Sequence, residues 1–300
     1  ISGDDSRGEW TKGEDGIWTI DLTLTTEGDH DMVMEYTNRS GLASEKYSQK
    51  IVIDRTAPVA QIEWAEAERV EKDGTRYYKN NAEKPATATL TVVDKNFNPD
   101  KAVVSDLYEA VNGTQETKSV PAVWTQDEQD STKWTAVVTL TEEGVHNLTV
   151  DVTDWAGNVM ETKTTDKVII DYTAPVLEEL VFNETDVVNT NKALDRDYYK
   201  GEVVATVKII ERNFDEKDLQ ITLKAQDVTG ADTEASYTMG EWKHEGDKHT
   251  VDLTFATDAN FALDVSYTDM AANAGNDVEE KLFTVDKVAP EVGGITYSKS

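Results

Sequence analysis

At 300 residues the chain has room for about two domains, and its 59 acidic against 29 basic side chains give a formal charge of −30. That charge repels phosphate backbones and anionic lipid, which makes nucleic acid and anionic membrane surfaces poor partners. The absence of cysteine excludes disulfides, thiolate metal sites and a Cys nucleophile, and no apolar run reaches the roughly 18 residues of a membrane span. Apolar residues make up 38%, a level that suits thin-cored sandwiches with large solvated faces, while seven Trp and eleven Tyr argue against disorder. The excess of carboxylates has two readings, solubility through self-repulsion or binding of divalent cations, chiefly calcium.

Residues 1–57 read as the back half of a repeat. Trp18-Thr-Ile-Asp-Leu-Thr-Leu24 and Asp31-Met-Val-Met-Glu-Tyr36 alternate as strands do, with a turn at Gly28-Asp29 between them. Asn38-Arg-Ser-Gly41 then turns the chain into Lys46–Asp54. Three or four strands cannot close a sandwich core, so the completing half is expected before Ile1.

A complete module is predicted over 58–174. Val59–Trp64 opens it, a charged loop follows from Glu66, and Tyr77-Tyr-Lys79 leads into the strand Ala86–Val93. Asp94-Lys-Asn-Phe-Asn-Pro99 turns, Ala102–Tyr108 returns, and Trp124, Trp134–Leu140 and His146–Val152 follow. Asp154-Trp-Ala-Gly-Asn158 makes the last turn before a strand that ends at Asp171. A second module, 175–289, repeats these marks: Tyr198-Tyr-Lys200, Glu211-Arg-Asn-Phe-Asp215, Trp242, Thr250–Phe255 and Asp264–Asp269. Residues 290–300 begin another.

Three stretches punctuate this order: Ile51-Val-Ile-Asp54-Arg-Thr-Ala-Pro58, Val168-Ile-Ile-Asp171-Tyr-Thr-Ala-Pro175 and Phe283-Thr-Val-Asp286-Lys-Val-Ala-Pro290. Their prolines recur roughly every 115 residues, one small domain per step. Each is a strand closed by Asp and by a Pro that cannot extend a ladder. About seven short strands per module, Gly/Asn/Asp turns and no convincing amphipathic helix define an all-β fold. It is expected to be a tandem array of antiparallel β-sandwiches, elongated and monomeric.

The pairing of Asp-Trp-Ala-Gly-Asn with Val-Ile-Ile-Asp-Tyr-Thr-Ala-Pro resembles the tandem immunoglobulin-like (Ig-like) repeats of very large bacterial surface proteins. Tyr-Tyr-Lys followed by Asn-Phe-Asp/Asn resembles the version found in gut Firmicutes. The resemblance covers Trp10 to Pro290. It implies an extracellular parent, wall-attached or secreted, whose arrays serve as stalks, adhesins or ancillary modules of carbohydrate-active enzymes; some such proteins bind host immunoglobulins. It also implies a site, because in related giant adhesins an aspartate before Thr-Ala-Pro helps hold calcium at the domain junction. The matching positions are Asp54, Asp171 and Asp286, with the turn aspartates Asp154 and Asp269 as further ligands. Arg55 and Lys287 depart from that pattern by placing a cation next to the aspartate. Each linker Asp has a structural reading as well, accepting backbone N–H groups to fix the turn before the proline.

Trp10, Trp124 and Trp242 recur in register, which suits packing. Tyr77-Tyr78 and Tyr198-Tyr199 are candidate ligand-binding residues, because adjacent strand residues face opposite ways; Trp155 is a third candidate. The four histidines share no metal spacing, and no phosphate loop or nucleophile elbow occurs. The chain is therefore expected to be no enzyme and to require no cofactor, calcium being the one candidate ion. The leading function is a stalk or adhesin segment of a bacterial surface protein. One alternative is direct binding of a host protein such as immunoglobulin, or of a mucin glycan, through the irregular loops 66–81, 111–118 and 184–195. Another is an accessory region of a large extracellular carbohydrate-active enzyme.

Overall fold

Strands in which β-branched and aliphatic residues alternate with Thr, Lys and Asp can bury one face and solvate the other. The computed structural model, which describes residues 5–183, 187–191, 195–227, 229–294 and 296, is built of such strands, with no α-helix among the described residues. The fold is all-β, made of Ig-like β-sandwiches. Of the predicted start of a further module at 290–300, residues 295 and 297–300 lie outside the described set. The chain divides into two compact units, one of residues 1–66 with 85–168 and one of 67–84 with 169–300.

In the first unit, Gly28–Met34 pairs antiparallel with Tyr47–Ile53, from Gly28 opposite Ile53 to Met34 opposite Tyr47. A larger sheet runs Thr125–Gln126, Lys133–Thr139, Thr87–Val93, Val59–Trp64 in spatial order. Facing residues Ala88, Leu90, Val92, Ala136 and Val138 are buried, while Thr89, Val93 and Val137 point to solvent. The opposing layer contains Gln115–Ser119, Ala102–Ala110 and Gly144–Val152, and it contributes Val104, Tyr108, Leu148, Val150 and Val152 to the core.

The second unit repeats the plan. One sheet orders Val176–Leu177, Val203–Ile210, Lys248–Phe255 and Thr238–Met239. The other orders Val187–Asn191, Arg196–Tyr199, Lys281–Val285, Ala259–Tyr267 and Leu219–Gln226. Arg196–Tyr199 lies parallel to Lys281–Val285, a pairing that only a crossover connection can produce. Phe255, Phe261 and Phe283 meet at the centre, with centroids 5.0 to 5.5 Å apart. Burying each stabilises the unit by about 1.5–3 kcal/mol. Residues 67–84 join this unit as a hairpin, Arg69–Val70 against Arg76–Tyr78.

One turn differs between the repeats in a way that backbone sterics can measure. Gly157 of the Asp154–Asn158 turn has φ +92°, and the matching residue in Asp269–Asn273 is Ala272 at φ +64°. A side chain there costs about 1 kcal/mol. Ala272→Gly should therefore leave stability level or raise it by up to about 1 kcal/mol, the strain relief being offset by unfolded-state entropy. Gly157→Ala should correspondingly leave it level or lower it by up to about 1 kcal/mol, since a Cβ would meet open space and the positive-φ strain is opposed only by the smaller unfolded-state entropy. Denaturant midpoints of the two variants check the asymmetry.

Candidate functional site

Two carboxylate clusters occupy matching places. One oxygen from each of Asp54, Asp94 and Asp154 lies within 4.8 Å of the others, and Asp171, Glu211 and Asp269 form the same arrangement. The first cluster lies wholly in the first unit and the second wholly in the second. Each takes one residue from a linker, one from the Asn-Phe turn and one from the Asp–Asn turn.

Local chemistry aims each of the three. The linker aspartate makes an Asx turn: Thr56 N–H donates to Asp54 Oδ1 and Thr173 N–H to Asp171 Oδ1, both at 3.0 Å. Asp286 makes the same turn with Val288 N–H at 3.0 Å. In the second cluster the Asp171 N–H also donates to Tyr78 O at 2.9 Å, which ties the linker to the strand Arg76–Tyr78. Asp286 N–H bonds to Tyr199 O in the same way.

The Asn-Phe turn is anchored by its aromatic. Phe97 is buried against Trp124 and Trp134, with centroids at 5.2 and 5.1 Å. Phe214 packs on Trp242 at 4.8 Å, stacks on His249 at 4.0 Å and meets Tyr267 at 5.4 Å. With the ring fixed, Asp94 accepts Asn96 N–H at 2.7 Å and Glu211 accepts Asn213 N–H at 2.6 Å. The Asn amides then reach across, Asn96 Nδ2 to Asp54 Oδ2 and Asn213 Nδ2 to Asp171 Oδ2. His249 braces this turn by pairing its Nε2 with Glu211 O at 2.7 Å and its Nδ1 with His244 Nδ1 at 2.8 Å.

The Asp–Asn turn closes the arrangement. Asp154 accepts the N–H and Nδ2 of Asn158, both at 2.8 Å, and Asp269 accepts the same pair from Asn273, also at 2.8 Å. The second amide proton bonds to the linker backbone, Asn158 Nδ2 to Asp54 O at 3.2 Å and Asn273 Nδ2 to Asp171 O at 2.9 Å.

Asp171, Glu211 and Asp269 are all buried, whereas Asp54 is half-buried beside buried Asp94 and Asp154. Burial pushes the Glu211 carboxyl up to about 7; Asn213 N–H opposes this, and repulsion from Asp171 and Asp269 adds to it. Burial likewise raises Asp269 against the hydrogen bonds of Asn273, and raises Asp94. The cations flagged in the linkers point elsewhere: Arg55 donates to Thr25 O at 2.9 Å and Lys287 to Ala256 O. Arg212, 3.5 Å from Asp171, is the one cation paired with the second cluster among the described residues. Lys95, in Arg212's place, pairs with Asp29 at 3.0 Å instead.

The structure therefore brings Asp54 together with Asp154, and Asp171 with Asp269, each turn meeting the linker that precedes its own module. Asp286 is exposed. The two residues missing from the sequence-derived set are Asp94 and Glu211. Their signal was present, since both repeats of the Asn-Phe turn open on an acid. The adjacent His244 and His249 were also not foreseen as neighbours.

The aromatic candidates separate by burial. Tyr78 and Tyr199 sit in the core, so neither offers a face to a ligand, while Tyr77 and Tyr198 are half-buried. Trp155 is 67% exposed, and its N–H donates to Asn96 O at 2.9 Å. Of the loop candidate 184–195, residues 184–186 and 192–194 lie outside the described residues.

No family model matches the chain, and no curated protein matches it. Among solved structures it is similar to the Escherichia coli adhesin FdeC, with a TM-score of 0.39, 16% identity, and 92% of this chain and 82% of that one covered. It is also similar to a marsupial T cell receptor, with a TM-score of 0.23, 10% identity, and 76% and 100% covered. At these TM-scores the likenesses carry no weight for function, and the sandwich assignment rests on the sheets themselves.

A carboxyl raised from 4.5 to about 7 by folding holds its proton more tightly in the folded state. Stability is then lost as pH rises from the unfolded value through the folded one. With divalent ions chelated, the second unit should melt several degrees higher at pH 5 than at pH 8. The underlying difference is up to about 3 kcal/mol. Glu211→Gln should flatten that slope in thermal melts recorded across the range.

Proposed function

We propose that the chain is a non-enzymatic segment of a bacterial surface protein, in which Ig-like modules follow in series and calcium fastens each linker to the module after it. The observation that carries this reading is the recurrence of one three-carboxylate arrangement at two linkers. The donor set fits a hard cation. Each cluster offers carboxylates and neighbouring backbone carbonyls, with no His or Cys in either group, and calcium takes six to eight such oxygens. Three buried carboxylates repel one another, so a divalent cation would offset a cost that one arginine at 3.5 Å meets only in part. Asp54, Asp94 and Asp154 would hold one ion, Asp171, Glu211 and Asp269 another, and Asp286 has the linker turn of the same arrangement.

Extracellular modules bind calcium at about 10⁻⁴–10⁻³ M, which suits a wall-attached or secreted array that presents a distal element to host surfaces. Millimolar calcium should raise the melting midpoint by several degrees over chelator. Asp171→Asn with Glu211→Gln should remove the part of that rise belonging to the second unit. An identical midpoint with calcium and with chelator would sink the reading.

The exposure of Trp155 favours a second reading, direct contact with a host glycan or protein such as an immunoglobulin. Trp155→Ala should abolish capture on mucin and immunoglobulin arrays without moving the melting midpoint. Silence of the unmodified chain on both arrays would reject it.

A further inference from the structure

The second cluster has a neighbour that the carboxylates do not explain. Arg69, on the hairpin 67–84, directs its guanidinium at three acids. Nε donates to Glu71 Oε1 at 2.6 Å, Nη1 to Asp218 Oδ2 at 2.7 Å, and Nη2 to Asp215 Oδ2. Glu71 belongs to the hairpin itself, whose tip is closed by Glu71 N–H to Thr75 O at 2.8 Å and by Thr75 N–H to Asp73 Oδ1 at 3.0 Å. Asp215 precedes and Asp218 ends the short 3-10 turn Glu216–Asp218, which Asp215 caps by accepting Lys217 N–H at 3.1 Å. That turn immediately follows Glu211-Arg-Asn-Phe, so Arg69 grips the loop that carries Glu211 and Asn213. The loop is held from its other side by Tyr267, whose hydroxyl accepts Asp215 N–H at 3.0 Å.

We infer that Arg69 is a latch that holds the hairpin 67–84 on the Glu211–Asp218 loop and keeps that loop, with Glu211 and Asn213, in place without any metal ion. This rests on the reading above only in taking Asp171, Glu211 and Asp269 as the site that the loop serves. Several observations separate the latch from a surface ion pair of little consequence. The guanidinium forks to two carboxylates on one loop, a geometry lysine cannot reproduce. The groups are largely shielded, with the side chains of Arg69, Asp215 and Asp218 at 27%, 14% and 26% exposure. Lys95–Asp29, by comparison, is a more exposed lysine contact, at 59% and 36%, on an aspartate that also meets Lys50, the kind that contributes little.

The Asp94 loop does not repeat these acids. There the positions of Asp215 and Asp218 are occupied by Asn98 and Lys101, so neither carboxylate that Arg69 grips has a counterpart. In the following hairpin, the residue opposite Tyr198 is Asn189, where Arg69 stands opposite Tyr77. The two loops that share a carboxylate cluster therefore differ in whether a cation-independent fastening accompanies it.

Because the chain has no cysteine, Lys72→Cys and Gln220→Cys can place spin labels on the hairpin and beside the loop. In chelator, the latched protein should give one narrow distance distribution, broadened in part by high salt. Arg69→Ala should lose the narrow distance, and Arg69→Lys should keep only part of it. Arg69→Glu alone should lose it too, and Arg69→Glu combined with Asp218→Arg should restore it, a rescue that a misfolded variant could not give. A narrow distribution retained by Arg69→Ala in chelator, or no rescue by the charge swap, would overturn the latch. Calcium added to the unsubstituted chain reports on the cation reading separately, so either idea can fail while the other stands.

Discussion

Everything near the linkers follows from the cost of gathering carboxylates away from water. At an effective dielectric near 20, two charges 4.8 Å apart repel by on the order of 3 kcal/mol, and each cluster contains three such pairs. Hydrogen bonds alone do much to hold the arrangement. Thr173 N–H, Asn213 Nδ2, Asn273 Nδ2 and the N–H groups of Ala271, Asn213 and Asn273 all point at the carboxylates or at the linker backbone. These donors are fixed by tight turns and reorganise little when charge appears. The rise of Glu211 to about 7 measures the repulsion and desolvation that they leave uncompensated.

The two modules show which features the fold can trade and which it keeps. In the first, His146 is buried with Nδ1 on Asp106 at 2.7 Å and Nε2 on Glu142 O at 2.9 Å. In the second, the matching positions are Phe261 and Leu223, and the aromatic cluster fills the space. A buried, hydrogen-bonded polar pair and an apolar pair of similar bulk are nearly interchangeable, because the cost of desolvating the polar groups cancels most of what their mutual contact returns. The linker arrangement varies much less. Asp94 is replaced only by Glu211, and Gly157 by Ala272, which tolerates its positive φ to keep the turn.

Much of this was legible in the sequence, and the rest was hidden for definable reasons. The recurrent Asp-x-x-Ala-Pro stretch, the alternation of Thr87–Val93 and the turn glycines each encode a local conformation, so strands and joints could be read directly. Asp54, Asp171, Asp154 and Asp269 could be singled out because each belongs to a repeated motif. Which turn meets which linker could not, because Asp54 and Asp154 stand 100 positions apart in the chain and only folding brings them together. Asp94 and Glu211 read in the sequence as turn residues, since an Asp/Glu difference conceals a shared carboxylate. The burial of Tyr78 and Tyr199 rather than their neighbours depends on strand facing, which a Tyr-Tyr pair leaves undetermined.

Arg69 is the case where periodicity offers nothing. It sits in a charged loop that reads as solvated, and its partners are near residue 215 in a different repeat. A repeat array encodes its shared mechanics in what recurs, and the carboxylate cluster recurs. It encodes the individual character of a joint in what does not recur, and such residues look like noise when modules are aligned with each other. The non-repeated charges of the Glu66–Asn81 hairpin are therefore as informative as the repeated ones. Asp215 and Asp218 both find their cation in Arg69, and the Asn98 and Lys101 that stand in their places in the other loop offer no such pair of carboxylates. Hairpin and loop have to change together for a latch to exist, which is why it can distinguish one joint from the next without altering the modules on either side.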